Sequence, residues 1–159
     1  MRKQQITTLS EEPERSLTEL VTYIEKLPSI PFAGRLAARI RYLAEISREE
    51  YPDQAPTAVP SLMGLITLLE ITLGLAYPDV VLTPQGNIRA QWRLDRNRYF
   101  ALEFLEGEEV HFVVFAPDPK HPYKTLRASG LATVDSVLEL VRPYGVHDWV
   151  LAAGNEAAR

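Results

Sequence analysis

The strict alternation of apolar and polar side chains in Ile88-Arg89-Ala90-Gln91-Trp92-Arg93-Leu94 constrains this chain more than any other stretch. Successive side chains of a β-strand point to opposite faces, so the run predicts a strand with Trp92 on a core face and Arg89, Gln91 and Arg93 on the other. Two neighbouring runs follow the same period. In residues 99–105 the apolar set is Phe100, Leu102 and Phe104, and in residues 109–115 it is Val110, Phe112 and Val114. Placing Trp92 opposite Leu102 and Phe104 opposite Val110 requires an odd number of residues in both hairpin loops, because a one-residue slip exchanges the faces. Glu106-Gly107-Glu108 supplies the second loop and residues 95–99 the first, where Asn97 tolerates the left-handed region. In that register Gln91, Glu103 and His111 lie side by side on three strands, facing away from Trp92. Val80 and Leu82, on a short strand over residues 80–83 turned back by Pro84-Gln85-Gly86-Asn87, are assigned to that same outer face.

The segments on either side have helical period. Residues 1–14 are polar and read as mobile. Arg2 and Lys3 lead into Gln4, Gln5, Thr7 and Thr8 rather than an apolar run, so no signal peptide is expected. Ser16 with Glu19 forms a capping box for a first helix bearing Leu17, Leu20, Val21, Ile24 and Leu27, which Pro28 stops. A second helix carries Leu36, Ile40, Leu43 and Ile46 on one side and Arg35, Arg39, Arg41 and Arg48 on the other, with Arg41 and Glu45 spaced to pair. Residues 53–60, with Pro56 and Pro60, form a stiff connector.

Residues 61–76 are apolar almost all round and predict a core helix; the run is too short for a membrane span and contains Glu70. Gly64 and Gly74 leave room for a close neighbour. Beyond the meander, Pro117, Pro119 and Pro122 open a loop before an edge strand over residues 123–128. Thr133 then caps a final helix with Val134, Val137, Leu138 and Val141 inward. Residues 146–151 form a short strand or dock through Trp149, and the tail frays. The expectation is an α+β fold of one domain over residues 1–159: a helical part at 15–76, then sheet and final helix at 77–151, then a frayed tail at 152–159. An antiparallel meander of four or five strands packs with an N-terminal group of three helices and a C-terminal helix.

Composition narrows the function classes. The chain of 159 residues has no cysteine, which excludes disulfides and thiolate metal sites and suits a reducing cytoplasmic setting. A net charge of −4 argues against nucleic acid as the partner. His111, His121 and His147 lie far apart in sequence, and no phosphate-binding glycine loop, nucleophile elbow or dinucleotide fingerprint occurs, so no catalytic residue, metal or cofactor is assigned.

The spacing of Pro84, Gly86, Ile88 and Trp92, a turn leading into a tryptophan-bearing strand, resembles a pattern in small uncharacterised bacterial proteins from toxin–antitoxin-type and mobile genetic loci. The resemblance covers residues 77–115 and departs at Gln85 and Gln91, where those proteins carry acidic residues. It implies a bacterial cytosolic context and brings no defined chemistry.

The outer sheet face therefore carries the leading expectation, a non-enzymatic cytoplasmic protein of antitoxin or immunity type that binds a protein partner or a second copy of itself. Its candidate binding residues are Arg89, Gln91, Arg93, Tyr99, Glu103 and His111. An alternative is a small-molecule pocket or minor enzyme between sheet and helices using Tyr99, Glu103 and His111, with Glu103 orienting the imidazole. A further alternative is nucleic-acid binding through Arg35, Arg39, Arg41 and Arg48.

Overall fold

The computed structural model describes residues 11–151, with side chains from residue 15 onward. It is an α+β fold in which three N-terminal helices precede a five-stranded antiparallel sheet, and short helices come after it. The expectations for residues 1–10 and 152–159 lie outside the described residues.

Helix α1 (Glu11–Glu25) begins before Ser16, so Ser16 and Glu19 lie within the helix instead of capping it. Pro13 is tolerated in the first turn because the N–H it lacks has no partner inside a helix. Helix α2 (Ala33–Glu50) buries Ala33, Leu36, Ala37, Ile40 and Ala44, while Leu43 and Ile46 are only half-buried. Arg41 does not pair with Glu45. It reaches across to Glu25 of α1 at 2.9 Å, and this hydrogen bond and charge hold the Glu25 carboxyl below the usual carboxylate range.

Helix α3 (Val59–Ile71) is buried from several directions, as its apolar run implies, with Leu62, Leu65, Leu68 and Leu69 enclosed. It stops five residues short of Ala76 because Thr72 is extended and Gly74 takes a φ of 74°, which turns the chain out of the helix. Leu75 then bridges to Leu151, and the Ala76 N–H donates to the Val150 carbonyl at 2.8 Å, so these residues hold the C-terminal end.

The strands β1 (Asp79–Leu82), β2 (Ile88–Asp95), β3 (Arg98–Phe104), β4 (Glu109–Pro117) and β5 (Thr125–Thr133) pair in chain order. Trp92, Phe104 and Phe112 share the core face, as the alternation requires. The first hairpin differs by two residues from the expected register: Trp92 faces Phe100, and Ala90 faces Leu102. Its loop is not residues 95–99. A two-residue turn at Arg96 and Asn97 is combined with a bulge between Arg93 and Asp95, and the inserted residue keeps the count odd, so the faces are preserved. The Asp95 side chain accepts the Asn97 N–H at 2.8 Å and anchors this turn. The second hairpin has Phe104 opposite Val110 as expected, with positive φ at Gly107 and Glu108.

Two further expectations are corrected. Val80 and Leu82 pair with Ala90 and Ile88 and so belong to the inner face; Asp79 and Val81 are the outer residues of β1. The last strand runs to Thr133 rather than ending at Ala128. Gly130 makes this extension fit, since a Cβ there would lie 3.3 Å from the Phe112 ring. Thr133 therefore ends a strand. In place of one final helix the chain forms α4 (Val137–Leu140), a 3₁₀ turn (Arg142–Tyr144) and α5 (His147–Val150), with Val134, Val137 and Val141 buried and Leu138 half-buried. Trp149 docks into the core at 3% exposure.

Polar contacts tie α3 and the segment after it to the sheet. The Ser61 hydroxyl, buried on α3, accepts the Ile88 N–H at 2.7 Å, and the Trp92 indole donates to the Ala76 carbonyl at 2.8 Å. The connector before α3 docks on the β1–β2 turn: Ala58 N–H donates to the Gly86 carbonyl at 2.8 Å and Ala55 N–H to the Pro84 carbonyl at 3.3 Å. No helix among the described residues is long and apolar enough to cross a membrane.

Candidate functional site

Burial alternates along β2 and β4, so the helices cover one side of the sheet and leave the other half-exposed. Three cross-strand rows make up that outer face. Val81, Arg89, Glu103, His111 and Leu131 form the first; Asp79, Gln91, Ala101, Val113 and Ser129 the second; Arg93, Tyr99, Phe115 and Arg127 the third. Glu103 and His111 are thus paired as expected. Gln91 is not beside them, because the two-residue register difference moves it opposite Ala101.

Each row has its own chemistry. In the first, Glu103 accepts from the Asn87 side-chain amide at 3.0 Å and sits 3.6 Å from the Arg89 guanidinium, so its carboxylate is engaged away from His111. In the second, Gln91 donates to Asp79 at 3.1 Å and accepts from the Tyr99 hydroxyl at 2.6 Å, which ties the second row to the third. The third row is a chain of rings and guanidinium groups in contact, with the two rings tilted at 51° to each other. Arg93 lies 4.4 Å from the Tyr99 ring centre, the Tyr99 and Phe115 rings are 5.5 Å apart, and Arg127 lies 5.0 Å from the Phe115 ring centre. Among the described residues neither Arg93 nor Arg127 has an ion pair, although the chain as a whole is acidic.

A cleft of about 360 Å³ opens beside this face, where Asp79 of β1 and Gln91, Trp92 and Arg93 of β2 meet Arg35 of α2, Tyr77 and Trp149 of α5. Arg35 stacks 3.9 Å from the Tyr77 ring centre, and the buried Trp149 indole N–H has no hydrogen-bond acceptor. Buried donors are ordinarily satisfied, so this one stands out. Burial also pushes the nearby His147 imidazole below its usual range, with Arg142 adding to the effect.

The four arginines of α2 do not converge. Arg35 lines the cleft, Arg39 donates to the Val80 carbonyl at 3.1 Å, Arg41 pairs with Glu25, and Arg48 lines a separate cavity of about 340 Å³ with Leu17 and Tyr51. Among the described residues no group of acidic or histidine side chains is arranged to hold a metal ion. Arg127 and Trp149 were not among the candidate binding residues: the first lies on an edge strand whose register was not assigned, and Trp149 was expected only to dock, since no pattern signals an unsatisfied indole. No protein-family model, curated protein or solved structure matches this chain.

Proposed function

We propose that this chain is a non-enzymatic, partner-binding protein whose outer sheet face receives an acidic protein surface. The carrying observation is the Arg93–Tyr99–Phe115–Arg127 row, in which two packed rings and two guanidinium groups without ion pairs span three adjoining strand pairs. Tyr, Phe and Arg are the residue types that concentrate binding energy at interfaces, and unneutralised guanidinium groups favour carboxylates in the partner. The antitoxin or immunity form of this reading, with a cognate bacterial protein as partner, rests on the resemblance around Pro84, Gly86, Ile88 and Trp92. Tagged protein drawn from an extract of its own source cells is expected to retain one stoichiometric partner. The folded double variant Arg93→Glu with Arg127→Glu should bind it at least about tenfold more weakly. Absence of such a partner, or equal retention by the variant, overturns the reading.

A second reading, a small-molecule site between sheet and helices, is favoured by the unpaired Trp149 indole in a cleft that also presents Arg35 and Arg93. The Asp79 carboxylate on the same wall accepts from the Gln91 amide at 3.1 Å, and the donors that remain suit a small carboxylate or phosphate. Millimolar benzoate or inorganic phosphate is expected to shift the Trp149 indole N–H resonance while sparing that of Trp92, which is already bonded to Ala76. An unmoved Trp149 resonance removes this reading.

A further inference from the structure

The two edges of the sheet are treated differently by the fold. Edge strand β1 has four residues, and its outward Val80 carbonyl accepts the Arg39 guanidinium. Strand β5 has nine, and no described segment pairs with its outer edge. The usual protections of an exposed edge are absent from it. It contains no proline, its core-side residues are Leu126, Ala128, Gly130 and Ala132, and Arg127 is its only charge.

The hydrogen-bond phase says which groups are available. Val134 N–H donates to the Glu108 carbonyl at 2.9 Å, and bonded pairs recur at every second residue of an antiparallel ladder. Residues 126, 128, 130 and 132 therefore bond β4, while the N–H and C=O groups of Arg127, Ser129 and Leu131 point outward.

We propose that β5 pairs antiparallel with β5 of a second copy about a two-fold axis at Ser129. Ser129 then meets Ser129, Arg127 meets Leu131 and Thr125 meets Thr133, so the outward groups of one strand face those of the other over its whole length. About six hydrogen bonds result from the central three pairs. Sliding the register two residues either way shortens the pairing, and two more in one direction set Arg127 against its own copy. Direction also matches charge: the end bearing Lys120 and Lys124 comes to lie beside the partner's end bearing Asp135, twice by symmetry. Leu126 and Leu131, 38% and 60% exposed, gain cover at the junction. The result is a continuous sheet of two copies with both outer faces open on the same side, so the proposal goes beyond the partner reading and does not depend on it.

Sedimentation equilibrium of the purified full chain tests this without any partner. The expected mass is twice 17.9 kDa at micromolar concentration. Ser129→Pro is the diagnostic variant: position 129 donates nothing to β4, so proline there removes only the contact between copies and is tolerated on an edge. It should raise the dimer dissociation constant at least about tenfold with an unchanged circular dichroism spectrum. Leu131→Lys, which sets a cation against Arg127 of the other copy, should do the same. A wild-type monomer at about 100 μM, far above ordinary dimer dissociation constants, overturns the proposal, as does a dimer indifferent to both substitutions.

Discussion

Gly86→Ala is expected to lower the unfolding free energy by about 3–5 kcal/mol, more than alanine at any other described glycine. Gly86 has a φ of 86°, and a Cβ on its backbone would lie 2.1 Å from the Pro56 carbonyl oxygen, 3.0 Å from the carbon and 3.2 Å from the Ala55 oxygen. These are backbone atoms of a proline-stiffened connector and cannot swing aside as a side-chain tip would. Relief requires the connector to leave the turn, which breaks the Ala58–Gly86 and Ala55–Pro84 hydrogen bonds and disturbs the start of α3, where Ser61 holds the Ile88 N–H.

Gly107→Ala separates clash from backbone strain. Its φ is 67°, yet nothing lies within 4 Å of the added Cβ, so only the left-handed penalty of about 1–2 kcal/mol applies. Urea unfolding of both variants provides the measurement. A Gly86→Ala loss no greater than that of Gly107→Ala would show that the connector is not seated on the turn.

This dependence also explains what could and could not be read from residue order. Pro84 and Gly86 announced a turn, but nothing in residues 53–60 announced that the connector would lie across it. The side of the sheet on which Trp92, Phe104 and Phe112 lie was legible because alternation has a period of two, and a two-residue register difference leaves faces unchanged. The difference itself was not legible, because the bulge after Arg93 has no glycine or other marker. Leu73 and Leu75 continue the apolar run of α3, so the end of that helix was hidden by hydrophobicity; the extended Thr72 and the positive φ of Gly74 turn the chain out of it. For the candidate face, Arg93 and Tyr99 were visible as outer residues of strongly patterned strands. Arg127 lay on the expected edge strand, but its place opposite Phe115 was not legible, because the three-proline loop before it leaves the register open and Ser129 and Gly130 hide how far the strand extends.

Phe104→Ala is expected to cost about 3–5 kcal/mol, since Phe104 is fully buried between α3 and the sheet and its removal leaves a cavity. The opposing position gives this prediction a sharper form. Gly64 faces the ring, and a Cβ there would sit 3.1 Å from Phe104 Cδ1 and 3.3 Å from its Cβ. In the native protein Gly64→Ala therefore meets two opposed effects: alanine is favoured over glycine in a helix by about 1 kcal/mol, while the ring is pressed against neighbours that leave little room to yield. The crowding should prevail, giving a net loss of about 1 kcal/mol. In the Phe104→Ala background the ring is gone, the helix preference acts alone, and the new methyl occupies part of the vacated space. Gly64→Ala should then stabilise by about 1 kcal/mol, so the two substitutions are coupled by about 2 kcal/mol. Equal effects of Gly64→Ala in the two backgrounds would mean that α3 does not ride on Phe104, and that the glycine serves some purpose other than admitting the ring.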